Sequence, residues 1–310
     1  MISRRNIRVK VMQLVYSLEQ MDENTGKTDP VKTLSKQLDQ TRELFVYLLH
    51  FTTQVAQYAE LDSKQRASRN LTTKEDLNVN TKIAGNELLW KILESPSYRK
   101  ALEINVPSHI DSKEWIRKIY LKLVDSEIYQ EYIKEASRDA KKEKEIMFFI
   151  FTDLMLPDED FLSFVEENFS NWDDDAEMMS QLIPGYLSKP ASYDLQEMLG
   201  TDKWQFARNL LTTVIDKKEH LIDLIKPKLK NWDADRIAML DMVLMRMGIA
   251  ELLYFETIPP KVTINECIDI AKEYSTPQSG QFVNGILDSI HKELVAENKI
   301  HKVDFNKQKA

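Results

Sequence analysis

Residues 235–254 carry Ile237, Met239, Leu240, Met242, Val243, Leu244, Met245, Met247, Ile249, Leu252 and Leu253, and the only charges from Met239 to Phe255 are Asp241, Arg246 and Glu251. A helix that is apolar nearly all round satisfies every face only inside a bundle, so this segment predicts a central helix of an all-α fold. Its three charges must then be paired or project at a rim. The chain has seven glycines among 310 residues, where average usage would give roughly 22. Folds that spend glycine on phosphate loops, hairpins and barrel corners are thereby disfavoured. Neither G-x-G-x-x-G nor G-x-x-x-x-G-K-[ST] occurs, which argues against dinucleotide and P-loop nucleotide chemistry.

The elements around the central helix follow from apolar spacing. Ile7, Val11, Leu14, Val15 and Leu18 form one stripe on a first helix, about Ser3 to Gln20, with Ser3 placed as its cap. Asp22 to Pro30 reads as a turn-rich break, and Val31 to about Leu156 as several helices with polar linkers near 63–80, 95–96 and 106–111. The run Arg138 to Glu145 reads as a solvated helix start. Pro184-Gly185 and Pro190 are expected to break the chain before an amphipathic helix spanning Trp204 to Ile225. After Pro259-Pro260, Thr263-Ile264-Asn265-Glu266 has the spacing of a capping box. A closing helix carries Phe282, Val283, Ile286, Leu287, Ile290 and Leu294. Gly285 lies within its pattern, at a cost of about 1 kcal/mol relative to alanine. That cost suggests close packing of another helix or an approaching ligand backbone.

A net charge of −8 at first opposes nucleic acid as a partner. The charge is uneven, however: +4 over residues 1–16, +3 over 1–150, −11 over 151–200 and zero over 201–310. Arg4, Arg5 and Arg8 fall within one 100° arc of the first helix, beside the apolar stripe. Three guanidinium groups on one solvent edge make a phosphate-contact candidate, because guanidinium pairs bidentately with phosphate oxygens. A merely solvated basic terminus is the alternative.

Catalytic and metal readings are weaker. Cys267 is the single cysteine and has no histidine near it in sequence, so packing is the simpler role. The five histidines lack metal-ligand spacing, and Asp173-Asp174-Asp175 lacks the alternating ligands and glycine of a calcium loop. A helix-capping or solvated acidic turn is expected there. No metal, cofactor or catalytic residue is expected, and the chain reads as a non-enzyme. One cysteine, no apolar run approaching the ~20 residues of a membrane span and no signal-peptide pattern predict a cytoplasmic protein.

Two segments resemble the NusB family of transcription antitermination factors. The first is Arg4-Arg5-Asn6-Ile7-Arg8 continuing through Gln13-Leu14-Val15-Tyr16. The second runs from Leu244-Met245-Arg246-Met247 and Glu251-Leu252, through Val262-Thr263-Ile264-Asn265-Glu266 and Ile270-Ala271-Lys272, to Phe282-Val283-Asn284-Gly285-Ile286-Leu287-Asp288. The resemblance covers about residues 3–20 and 200–296. It implies a NusB-like pair of helical bundles, with an additional helical insertion after the first helix, over 21–199. The insertion ends in the acidic segment 151–200, and a polar tail follows over 297–310.

The resemblance further implies binding of boxA-type leader RNA of ribosomal RNA transcripts together with the small-subunit ribosomal protein NusE. Other Nus factors and RNA polymerase would be engaged indirectly. By the same resemblance Arg4, Arg5, Arg8, Gln281 and Phe282 are candidate RNA contacts, and Tyr274 and Gln278 candidate partner contacts. Phe282 suits base stacking and equally a place in the core. Asn6 replaces a frequent third arginine, and Gln278 stands where an acid is common. The alternative function is a protein scaffold that binds basic partners through the acidic insertion without RNA.

Overall fold

The computed structural model describes residues 2–21, 29–71, 73, 76, 78–229 and 237–303; the regular structure among them is helical, with no strand. The expected break at Asp22 to Pro30 falls on residues 22–28, outside the described residues, as do residues 235–236. The chain divides into two compact units, one of Met1–Ile2 with Gln37–Leu199 and one of Ser3–Lys36 with Gly200–Ala310.

The Ser3–Lys36 and Gly200–Ala310 unit contains α1 (Arg4–Gln20), the start of α2 (Pro30–Ala67), and a C-terminal set of helices. To number those in chain order, the other unit comes first. It holds the rest of α2, then α3 (Glu87–Leu93), α4 (Pro96–Asn105), α5 (Lys113–Val124), α6 (Glu127–Lys134), α7 (Ala140–Phe149) running into a π turn at Ile150–Met155, α8 (Glu159–Asn168) and α9 (Trp172–Ser188). The C-terminal set is α10 (Thr201–Asp216), α11 (Lys218–Ile225), α12 (Met239–Tyr254), α13 (Pro260–Tyr274) and α14 (Ser279–Ala296).

Helix α12 is the centre of its unit, packed by α1, α10, α11, α13 and α14. Val243 through Leu252 are buried without interruption, as the all-round apolar pattern requires. Gly248 makes this packing close: a Cβ there would lie 2.9 Å from Leu287 Cδ1 and 3.2 Å from Cys267 Sγ. Gly285 is the opposite case and corrects the expectation that another helix packs closely there, since a Cβ would meet nothing within 4 Å.

Several local expectations change for identifiable reasons. Helix α9 continues through Pro184-Gly185, because Met178, Met179, Ile183, Tyr186 and Leu187 extend one buried stripe across them. Their burial offsets the ~3 kcal/mol that an interior proline costs. The segment Trp204 to Ile225 is two helices, separated at Lys217, whose N–H bonds to Thr213 O at 3.1 Å. Helix α13 begins at Pro260, where a proline suits the first turn because its missing N–H is not needed. Thr263 therefore lies inside the helix, fully buried, and makes no capping box.

In the larger unit, α7 packs on α3, α6 and α9. Glu143, on the run expected to be solvated, is buried there. Its carboxylate accepts from Tyr132 Oη at 2.7 Å, from Arg138 Nη1 at 3.1 Å and from the Glu87 N–H at 2.6 Å. A buried carboxylate is tolerated only with such a set of donors. Asp173, Asp174 and Asp175 occupy the first turn of α9, where they complement the helix dipole. Asp175 is buried and accepts from Thr41 Oγ1 at 2.8 Å and Asn171 Nδ2 at 2.7 Å.

Candidate nucleic-acid interface

Ser3 starts α1 as the stripe predicts: its Oγ accepts from the Asn6 N–H at 3.1 Å, while the Ser3 N–H donates to Asn6 Oδ1 at 3.0 Å. Asn6 thus has a capping function at the position where the resemblance has an arginine.

The three arginines do not share one solvent edge. Arg8 is 2% exposed, and it grips Glu251 of α12 with Nε–Oε1 at 2.6 Å and Nη2–Oε2 at 2.8 Å. Glu251 is equally buried, and Thr263 Oγ1 of α13 donates to its Oε2 at 2.9 Å. Burial opposes the Arg8 charge, but the hydrogen bonds and attraction of Glu251 more than offset it, holding the guanidinium pKa above its ordinary value. The physical reason for the correction is that α1 packs on both α10 and α12, so residues Asn6–Met12 are buried on all sides. Arg8 is therefore buried and ion-paired in the core and does not stand on a solvent edge.

Arg5 is intermediate. Its Nη2 lies 2.7 Å from Glu273 Oε2 and its Nη1 3.9 Å from Glu266 Oε2, both carboxylates belonging to α13, and 30% of its side chain is exposed. Arg4 is exposed and forms no ion pair among the described residues. Its guanidinium carbon lies 5.6 Å from the Phe206 ring centroid, and that of Arg8 lies 5.3 Å from the same ring. Phe206 in turn meets Phe255 edge to face at 5.5 Å. The available cationic surface of α1 is thus Arg4 with the accessible part of Arg5, oriented by Phe206 and two α13 carboxylates.

Arg246 and Glu251 are both ion-paired but not to each other: Arg246 Nη2 lies 2.6 Å from Glu19 Oε1 of α1. The third charge of α12, Asp241, accepts from Ser275 Oγ and Ser279 Oγ, each at 2.7 Å. Of the candidate residues around that loop, Gln278 and Gln281 are exposed, and Tyr274 and Phe282 are half-buried. Sequence reasoning marked Asp241 and Glu251 as charges in need of partners without naming those partners, and it passed over Glu273 and Phe206. The signal available was the presence of three charges on an otherwise apolar helix.

Cys267 is buried, with Sγ 3.7 Å from Leu244 O, and burial pushes its thiol well above the ordinary range, the reverse of an activated nucleophile. Among the described residues no group of three or more His, Cys, Asp or Glu could hold a metal, and no helix is long and apolar enough to cross a membrane.

Fold and site together define an all-α domain in which an arginine-bearing first helix is stapled into a C-terminal bundle by buried ion pairs. Residues 170–292 match the model of the NusB family. The transcription antitermination protein NusB of Salinibacter ruber is 43% identical over 97 residues, covering 31% of this chain and 61% of that protein. The protein of the same name from Chloroherpeton thalassium is 43% identical over 97 residues, 31% of this chain and 46% of the relative. That of Methylacidiphilum infernorum is 48% identical over 83 residues, 27% of this chain and 58% of the relative. The chain therefore spans about half to three fifths of the length of these curated relatives. A solved structure of T. maritima NusB is 36% identical, covers 34% of this chain and 80% of that one, and superposes with a TM-score of 0.29.

Proposed function

We propose that this protein is a non-enzymatic transcription antitermination factor that binds boxA-type RNA of ribosomal RNA transcripts together with the ribosomal protein NusE, and through that complex meets other Nus factors and RNA polymerase. The observation that carries the reading is the NusB family match at residues 170–292 together with an N-terminal helix whose Arg4 is exposed and without an ion pair among the described residues. Arg4 and Arg5 contact phosphate, while Arg8, locked on Glu251, fixes the helix that presents them. Gln281 and Phe282 extend the RNA surface, and Tyr274 and Gln278 face the protein partner. Residues 21–199 are read as an insertion, which the family match overlaps over 170–199; the gathering of Ser3–Lys36 with Gly200–Ala310 in one unit supports the insertion over 37–199.

The test is binding of boxA-like RNA, with and without NusE, across a salt series. Each phosphate neutralised contributes about −0.7 to the log-log slope for a single strand. Replacing Arg4 and Arg5 by glutamate weakens binding and makes the slope shallower, with helicity unchanged. Unchanged RNA affinity in that double variant removes α1 from the interface.

One observation favours a second reading. Glu166, Glu167 and Asp173 are exposed and form no ion pair among the described residues, which suits a basic protein partner held by the insertion. Reversing these three charges then abolishes that partner's binding and leaves RNA binding intact.

A further inference from the structure

A cavity of about 580 Å³ opens in the unit of residues 37–199, lined from α2, α5, α6 and the connection at residues 78–80. All of its lining residues precede residue 170, where the match to the NusB family begins, so the site is independent of the proposed RNA binding. Its size falls within the roughly 300–1,000 Å³ of small-molecule sites. Tyr120 and Tyr129 form its buried wall. The Tyr120 hydroxyl bonds to that of Tyr129, and Tyr129 Oη donates to Asn80 O at 3.2 Å. Burial pushes the Tyr129 phenol up to about 12 and raises that of Tyr120 as well, so both stay neutral. Gln130 is committed too, its Nε2 donating to Val124 O at 2.8 Å.

Asp62 and Arg66, one turn apart on α2, bring the charge to this cavity. Arg66 Nε donates to Asp62 Oδ1 at 3.0 Å and lies 2.9 Å from Oδ2. A single N–H does not satisfy a carboxylate, which accepts through both oxygens. Asp62 is 9% exposed, and its buried Oδ2 accepts no hydrogen bond among the described residues. Arg66 Nη1 and Nη2 have no bonded partner among those residues either, and the side chain is partly exposed. Buried polar groups nearly always have a partner. An open acceptor beside open guanidinium donors, at a cavity of this size, suits a ligand that brings both complements.

The pair selects the ligand by charge. An anion alone meets the Asp62 carboxylate, and a cation alone meets the Arg66 guanidinium. A zwitterion satisfies both, with an ammonium donating to Oδ2 and a carboxylate accepting from Arg66, and each bond is charge-assisted. A nucleobase edge offers a donor and an acceptor without charge and so gains less from the same two groups. Val79, Val124 and Ile133 line the same space and give an apolar side chain its contacts. We propose that this cavity binds a free α-amino acid with an apolar side chain, its α-ammonium on Asp62 and its α-carboxylate on Arg66.

The test titrates the full chain calorimetrically with each standard amino acid, with N-acetyl-leucine and leucine amide, and with ribonucleosides. Apolar amino acids such as leucine bind. N-acetyl-leucine lacks the ammonium and leucine amide lacks the carboxylate, and each binds more weakly on the order of tenfold or more, as loss of a hydrogen bond to a charged group entails. Asp62→Asn and Arg66→Gln weaken leucine binding on the same order, roughly tenfold or more, with far-ultraviolet circular dichroism unchanged. Should Asp62→Asn fail to fold, Arg66→Gln alters a partly exposed side chain and carries the test with the blocked ligands. No binding of any amino acid at about 10 mM, where a millimolar site is mostly occupied, overturns the proposal. Binding that both variants leave unchanged overturns it too, as does binding of the blocked derivatives as tight as that of leucine, or of nucleosides in place of amino acids.

Discussion

Arg8 and Glu251, 243 positions apart in sequence, meet as a two-bonded ion pair with both side chains buried. The pair joins the first helix to the central one, and Thr263 adds the third helix by bonding to the same carboxylate.

Removing one partner leaves the other charge buried and alone. Arg8→Ala or Glu251→Ala is expected to destabilise the protein by about 3–5 kcal/mol, while replacing both by apolar residues of similar volume costs far less. Thermal unfolding of the two single variants and the double variant checks this. Equal losses adding independently would show that the two residues do not act as a pair.

On the proposed reading that Arg5 contacts RNA, Glu273 is its competitor, because the Glu273 carboxylate already holds the guanidinium at 2.7 Å. The pair is partly exposed, and such pairs contribute roughly 0.2–1 kcal/mol. Glu273→Gln is accordingly expected to raise RNA affinity by a few-fold, read by titration at low salt. A decrease would mean that Glu273 orients Arg5 productively.

Gly248 and Gly285 should respond to alanine with opposite signs. At Gly248 the new methyl meets Leu287 and Cys267, and overpacking of this kind costs about 1–3 kcal/mol. At Gly285 there is open space, so the helix gains up to about 1 kcal/mol. Denaturant unfolding measures both. If Gly285→Ala stabilises the protein yet weakens RNA or NusE binding, the glycine is kept for the approach of a ligand.

His50, in α2, is depressed by burial from 6.5 to about 4, with its Nδ1 3.1 Å from Tyr98 Oη. Below pH 6.5 the unfolded chain takes up a proton that the folded state refuses until about pH 4, so stability falls as pH drops through that window. His50→Gln should flatten the stability profile between those values. An unchanged slope would assign the acid sensitivity to other groups.

The sequence by itself determined the all-α class and the central place of α12, because an all-round apolar helix has only one kind of environment that suits it. It also determined the cap at Ser3, since that depends on neighbours within a few residues. The same reasoning identified Asp241, Arg246 and Glu251 as charges needing partners. Who those partners are was decided only by tertiary structure. Glu251 found Arg8, Arg246 found Glu19 and Asp241 found two serines, across gaps that periodicity cannot bridge. That is why an edge of three arginines, read from a helical wheel, became one exposed cation, one shared with α13 and one locked in the core. Thr263 shows the same limit: local spacing offered it a capping role, and a buried carboxylate on another helix claimed its hydroxyl instead.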